Sequence, residues 1–447
     1  MQDQPQSQQD VSEIDLEDPI AIRDFLEHAH PVDAAALLDE LEPVDACALL
    51  LRETLPDRTE IFGYLRPETQ VDLAALLERR QLAAMMTEMS ADDRADVFNR
   101  LSPDQQQALL PGLAQAERED IRRLTSHAEG TAGAIMTSDY ATLAPELTAR
   151  EAIEVLRHEA PDKETIYRAY VLDPDRQLIG SVRLRDLILA PGHRRVADLV
   201  EDDTLAVNVH EDQEEVAHKI ARYDVLALPV VDDDGRLVGI VTHDDAMDAL
   251  EEEATEDFHK IGTVGKMTQS VREASIGLLY RKRVFWLGLL VFGNLFSGAG
   301  IAYFEDTIAM HVALVFFLPL LIGSSGNAGA QSATLMVRAL ATGDVVLKDW
   351  GRLLSRELLV ALALGITMAA AVSLIGVVRG GPDIALVVAA TMLLVVMVGS
   401  LVGMGLPFAL NHFGLDPATA SAPLVTTIAD ALGVVIYFSI ATAMLSH

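Results

Sequence analysis

"LPLLIGSSGNAGAQSATLMVRALATG", residues 318–343, is apolar enough to enter a membrane, yet Gly323-Ser324-Ser325-Gly326-Asn327-Ala328-Gly329 interrupts its middle. Small residues let helices or ligands approach a backbone closely. Broken or kinked backbone at membrane depth survives only inside protein or beside water. The stretch therefore marks a membrane helix that something comes close to.

Around this stretch the chain divides by charge. From residue 281 onward there are eight acids and eight bases, so the whole net charge of -33 belongs to residues 1–280. An acidic soluble half is attached to a nearly neutral apolar half. Such a half repels nucleic acid and collects cations. The opening "MQDQPQSQQDVSEIDLED" has no basic segment before an apolar core, so it reads as a disordered acidic leader (1–19) and not as a secretory signal. The single cysteine, Cys47, excludes an internal disulfide and any cysteine metal cluster, and reads as a small buried hydrophobe.

Residues 20–131 repeat proline- or aspartate-led amphipathic runs such as "HPVDAAALLDEL" and "RPETQVDLAALL". They predict short helices in an all-helical superhelical domain. Over 132–262 the pattern changes. "LIGSVRLRDLI" (178–188) and "LVGIVTHDDAM" (237–247) align at an offset of 59 residues, each after a strand-like run and a charged turn. Each copy predicts a hairpin followed by a helix. The two copies resemble a tandem pair of cystathionine-β-synthase-type (CBS) modules, an α/β fold that is usually regulatory. Some such pairs bind ATP or another adenosine nucleotide.

Met267, Val271, Ala274 and Leu278 form one apolar stripe, predicting an amphipathic connecting helix over 263–283 at the membrane surface. Five spans follow within 284–447, near 284–304, 311–340, 357–378, 384–410 and 420–445, each long enough to cross. Basic residues flank the first span's start and fill the loop between spans 2 and 3. The positive-inside rule then places the N-terminal domains in the cytoplasm and His447 outside. The fold class is thus a multidomain membrane protein, all-α except for the CBS pair.

Asp430, in "PLVTTIADALGVVIYF", lies about 15 Å along span 5 from Ala420 at 1.5 Å per residue. A carboxylate at that depth costs about 2.5–3.5 kcal/mol on insertion scales, which favours a cation path over a decorative charge. One carboxylate is a poor cage for a dehydrated ion. Two chains on a twofold axis supply two. Magnesium gives up water reluctantly, so a pore of amides, carbonyls and two carboxylates suits the hydrated ion.

"GSSGNAGAQSATLMVRALATGD", "LPFALNHFGLDPATASAPLVTTIADALGVVIYF" and "EEEATEDFHKIGTV" resemble segments of the MgtE magnesium channels, over nearly all of residues 20–447. The resemblance implies a homodimer in the bacterial inner membrane that conducts Mg2+ and is shut by cytosolic Mg2+. It matches the pore aspartate to Asp430, with Gly326, Asn327, Ala330 and Thr426 near the ion. Regulatory positions match Glu60, Asp92 and Asp96 in the N domain. In the CBS pair they match Glu214, Ala221, Asp224, Asp245 and Asp248. Glu253, Glu256 and Asp257 match at the entry to the connecting helix, and Asp416 matches at the pore's cytosolic face. Asp92/Asp96 and Glu253/Asp257 are i, i+4 pairs, a like-charge arrangement that a cation relieves. Ala309 and Ala422 stand where some members carry polar or acidic residues, expected at an outer mouth.

Two rival readings stay in view. One is an ion-coupled divalent-cation carrier. The other is a membrane-anchored nucleotide or Mg2+ sensor that transports nothing. No phosphate loop and no nucleophile elbow point to an enzyme.

Overall fold

The computed structural model describes residues 14–15, 18–201, 205–262, 264, 274–345 and 347–445. Met267 and Val271 of the connecting stripe lie outside the described residues. The chain forms two compact units, Met1–Glu252 and Glu253–His447.

The first unit opens with short helices: α1 (Pro19–Leu26), α2 (Pro31–Leu38), α3 (Pro43–Leu50), α4 (Leu55–Gly63) and α5 (Pro67–Leu76). α6 (Arg79–Glu88), α7 (Ala91–Arg100), α8 (Pro103–Leu109) and α9 (Gln115–Leu124) follow. Proline occupies the first position of α1, α2, α3, α5 and α8, where its missing N–H costs no helical hydrogen bond. From α2 to α7, each helix packs on the second one after it: α2 on α4, α3 on α5, and so on to α7 on α9. That nearest-repeat stacking makes the superhelix the sequence pattern predicts. Leu37, Leu38, Leu50, Phe62, Leu73, Met85 and Met86 are fully buried in it, and Cys47 is buried beside them.

Two three-stranded sheets follow. In the first, β1 (Tyr140–Leu143) runs parallel to β2 (Thr165–Leu172), which pairs antiparallel with β3 (Leu178–Arg183). α10 (Ala149–Glu159) connects β1 to β2, and α11 (Leu184–Leu189) follows β3. The second repeats it with β4 (Val207–Asn208), α12 (Gln213–Tyr223), β5 (Ala227–Val231), β6 (Leu237–Thr242) and α13 (His243–Ile261). β3 and β6 begin at Leu178 and Leu237, so the 59-residue offset is the repeat of the fold. The hairpin turns also correspond. Gly235 has φ 79°, and Arg176 takes φ 65° at the equivalent place, a conformation that costs an L residue. The turns pair reciprocally, Leu178 N–H to the Gly235 carbonyl and Leu237 N–H to that of Arg176.

The second unit is helical: α14 (Ile276–Tyr303), α15 (Glu305–Met310), α16 (Ala313–Ala341), α17 (Trp350–His412) and α18 (Ala422–Leu445). Four of these, all but α15, are long and apolar enough to cross a membrane among the described residues. A straight α17 would run about 95 Å, three times a bilayer core. Instead Gly381, at φ 82°, breaks it, and the arms 350–380 and 382–412 fold back on each other. Gly376 lies against Ala385, and Gly365 against the backbone of Leu393. The unit therefore makes five passes.

Their directions follow from contacts. On α14, Gly293 meets Thr427 and Gly300 meets Val434, so α14 and α18 are parallel. On α16, Gly326 meets Thr426 whereas Gly433 of α18 lies beside Ile322, so α16 and α18 are antiparallel. Gly399 and Gly403 of the second α17 arm meet Ser325 and Gly329, so that arm is parallel to α16. These senses are those of five successive crossings. No residue of α14 is buried within this chain, which leaves its apolar surface for lipid or another subunit.

Candidate functional site

α16 answers the question its sequence raises. Gly323 to Gly329 stay in one unbroken helix, so the small residues serve close approach and do not break the backbone. A Cβ on Gly399 would stand 2.3 Å from the Ser325 carbonyl oxygen, and one on Gly403 2.0 Å from that of Gly329. Backbone thus packs on backbone, and the Ser325 hydroxyl donates to the Val395 carbonyl at 2.8 Å. On the other side, a Cβ on Gly326 would meet Thr426 Cγ2 at 2.7 Å. Asn327, next along α16, is exposed; Ala330 is half-buried.

Asp430 is one turn beyond Thr426 on α18. Thr426 faces Gly326 and Gly433 lies beside Ile322, so Asp430 sits between the levels of those two α16 residues. Its Oδ1 is buried with no hydrogen-bond partner. An apolar bundle does not leave a carboxylate oxygen unsatisfied at helix mid-length unless something polar comes to it.

A second acid-lined region lies in the first unit, where the helical domain meets the second CBS module. Ala91 and Ala95 of α7 share one core with Ala246 of α13, Met136 and Val241. The acids rim this joint: Asp92, Asp93 and Asp96 from α7, and Asp244, Asp245 and Asp248 from α13. Burial, then the Asp92 charge, raises the Asp245 carboxyl well above the usual carboxylate range, against its 2.5 Å bond from the Thr242 hydroxyl. Burial and the charges of Asp92 and Asp96 push Asp93 up to about 6. Asp96 rises for burial and for Asp92, Glu252 and Asp248, partly offset by Arg100 at 3.1 Å. Asp93 and Asp96 are nonetheless wetted, as in a cleft where protein hems in the field while water reaches the group. Tyr64 feels Glu60, Asp93 and Asp244 together, which places Glu60 at the same cleft.

The first CBS module contributes two acids that sequence reading missed. Asp139 Oδ2 accepts from Ala91 N–H at 3.2 Å. Glu164 donates its backbone N–H to the Asp139 carbonyl and is pushed up to about 7 by burial, then by Asp92, Asp244, Asp93 and Asp139. No local pattern marks these two. They come from separate loops and meet only in three dimensions.

A third cluster belongs to the second unit. Asp257 is pushed up to about 6 by burial and by Asp416, Glu253 and Glu256, with Lys260 acting the other way. Asp416 caps the turn Pro417–Thr419, its Oδ1 accepting from Ala418 N–H at 2.8 Å. Glu253, Glu256, Asp257 and Asp416 thus come together. Glu214 and Asp224 do not join one another: they stand at opposite ends of α12, about 15 Å apart. Ala221, exposed on that helix, has only a carbonyl to offer. Ala309 and Ala422 cannot share one mouth either. Thr307 bonds Thr442 at 2.9 Å, placing α15 at the far end of α18 from Ala422, about 30 Å away.

Among the described residues, no three His, Cys, Asp or Glu side chains are close enough to hold one ion directly. The donors are nonetheless all oxygen, as Mg2+ prefers, and Asp92 Oδ1 is buried without a hydrogen-bond partner. Such acids fit an ion that keeps its water and touches them through it.

Three family sequence models match the chain: "MgtE intracellular N domain" over 29–130, "CBS domain" over 132–193 and 196–252, and "Divalent cation transporter" over 318–440. The magnesium transporter MgtE of Thermus thermophilus is 40% identical over 433 residues, 96% of each chain. That of Bacillus subtilis is 34% identical over 428 residues, 95% of this chain and 94% of its own. A crystal structure of the cytosolic domain of the Mg2+ channel MgtE in complex with ATP is 38% identical, with a TM-score of 0.49, covering 52% of this chain and 94% of that one. By this identity over nearly its whole length, the chain belongs to the MgtE family of magnesium transporters and is a membrane transporter rather than an enzyme.

Proposed function

We propose that this chain is a Mg2+-selective channel of the bacterial inner membrane, acting as a homodimer and importing Mg2+ until cytosolic Mg2+ closes it. The observation that carries the reading is the Asp430 Oδ1, buried and unpartnered between α18 and the small-residue face of α16. Two such carboxylates on a dimer axis offer charge to a hydrated cation without stripping its shell. Gly326 makes room, Asn327 and Thr426 supply polar contacts to its waters, and Ala330, whose carbonyl already accepts from the Thr334 hydroxyl at 2.9 Å, contributes only its small side chain.

Closure follows from the acid clusters. With little Mg2+, Asp92, Asp93 and Asp96 repel Asp244, Asp245 and Asp248, and the joint between helical domain and CBS module loosens. Bridging ions remove that repulsion and favour the packed arrangement. A site whose dissociation constant is fivefold below the ion concentration contributes about 1 kcal/mol. Moving a gate from 1:99 to 99:1 takes about 5.5 kcal/mol, so several such sites must act together.

The domain limits 1–19, 20–131, 132–262, 263–283 and 284–447 belong to this proposal. So do a cytoplasmic N-terminus, an external C-terminus, and a place for ATP or another adenosine nucleotide at the CBS pair. Mg2+ flux into proteoliposomes, with and without Mg2+ on the cytosolic side, tests the reading. Unitary currents of channel size exclude the ion-coupled carrier, and absence of flux favours the sensor that transports nothing.

A further inference from the structure

A lysine sits inside the carboxylate cluster at the pore's inner end. Lys260 Nζ lies 2.5 Å from Asp416 Oδ2 and 2.7 Å from Glu256 Oε1. Burial works against the Lys260 ammonium, but its bonds to Asp416 and Glu256 outweigh that and raise its pKa. The same ammonium lowers the Asp257 carboxyl that burial and Asp416 raise. One cation is thus shared among three of the acids assigned above to regulatory Mg2+.

Its position links α13 to the pore. Ile261, the next residue, packs with Val337 of α16, Leu406 and Leu410 of α17, and Ala418 and Ala420 before α18. Asp416 is held by its cap to Ala418, so the Lys260 contact is made to a fixed carboxylate. α18 begins six residues later and carries Asp430.

We propose that Lys260 is a tethered counter-ion that occupies Glu256 and Asp416 in competition with Mg2+, and so sets the Mg2+ concentration at which this cluster fills. The inference rests on the sensor reading. A divalent ion at Glu256, Asp257 and Asp416 must displace the ammonium or share its oxygens. Each Asp416 oxygen already has one donor, Ala418 N–H or Lys260 Nζ. Lys260 is thus a positioning residue, with no direct part in conduction. Its side chain and that of Asp416 are 27% and 39% exposed, so solvent screens the pair and the competition is modest. Removing the ammonium should therefore strengthen Mg2+ binding by about fivefold, the upper range for such pairs.

The experiment is a Mg2+ titration of protease protection in the full-length purified chain, comparing wild type with Lys260→Met and Lys260→Arg. Lys260→Gln serves if the Met variant does not fold. The inference expects the midpoint to fall about fivefold in Lys260→Met and to stay near wild type in Lys260→Arg. Adding Asp416→Asn to Lys260→Met should shrink the shift, because the competition is at that carboxylate. A midpoint that is unmoved or raised in Lys260→Met overturns the inference, the raised case making Lys260 a latch that helps closure. A wild-type chain whose digestion ignores millimolar Mg2+ removes the sensor reading and this inference with it. A responsive wild type with an unmoved Lys260→Met midpoint removes this inference alone.

Discussion

The Cα of Gly403 stands so close to Gly329 that a Cβ on it would be 2.0 Å from the Gly329 carbonyl oxygen. The obstacle is backbone, which no rotamer change can move aside. Helix α16 and the second arm of α17 touch there through main chain, and the geometry beside Gly326 and Asp430 depends on it. Gly403→Ala must force the helices apart, and overpacking of this kind costs about 1–3 kcal/mol or more. The expected result is a clear fall in Tm in detergent together with reduced Mg2+ flux. Gly323→Ala is the control, since a Cβ there meets nothing within 4 Å and alanine favours helix. Equal losses of Tm in the two variants would remove the close-packing explanation.

The acid-rimmed joint makes its own prediction. Neutralising Asp92, Asp96 and Asp245 to Asn removes both the repulsion and the proposed ligands. The soluble half should then resist protease in chelator, and millimolar Mg2+ should add little. Wild type should be cut quickly in chelator and protected by Mg2+. If the triple variant keeps the full Mg2+ effect, these acids are only a solvated face.

The joint should also respond to pH, with a sign opposite to that of a salt-bridged carboxylate. Asp93 and Glu164 are raised to about 6 and about 7, and Asp245 is raised as well. Between the ordinary carboxylate range and these values the packed state binds more protons than the unfolded or separated chain. Packing is therefore favoured at low pH and loses that support as pH rises through about 6 to 7 and beyond. In chelator, digestion of the soluble half should speed up from pH 6 to pH 8, and Mg2+ should protect most at pH 8. Digestion that slows over the same interval, after correction for the protease's own pH dependence, would contradict the assignment.

Much of this architecture is legible in the residues. Proline at the first turn marks α1, α2, α3, α5 and α8, and the 59-residue repeat locates both CBS hairpins and the starts of β3 and β6, because local rules decide turns and helix starts. Asp430 stands out because a charge deep in an apolar run has few explanations. The glycine run of α16 invites the wrong inference of a broken helix, since sequence shows small residues but not that Gly399 and Gly403 of the second α17 arm close on the carbonyls of Ser325 and Gly329. The sequence pattern sets Ala309 and Ala422 at one mouth, and only the direction of α18 separates them. Asp139 and Glu164 are invisible in advance because their meeting with the start of α7 is purely tertiary. The Glu256–Lys260 pair is readable from its i, i+4 spacing, but its contact with Asp416 is not.

Mg2+ flux through Asp430→Asn in proteoliposomes is the sharpest test of Asp430 as the pore carboxylate. The substitution keeps the shape of the side chain and deletes only the charge, so the purified protein should elute and melt like wild type. Flux should fall to a small fraction of wild type at equal protein density, because on the proposed path this carboxylate is the charge the ion meets at mid-helix. Near-normal Mg2+ flux through the folded variant would place the ion path elsewhere and rule out Asp430 as its central charge.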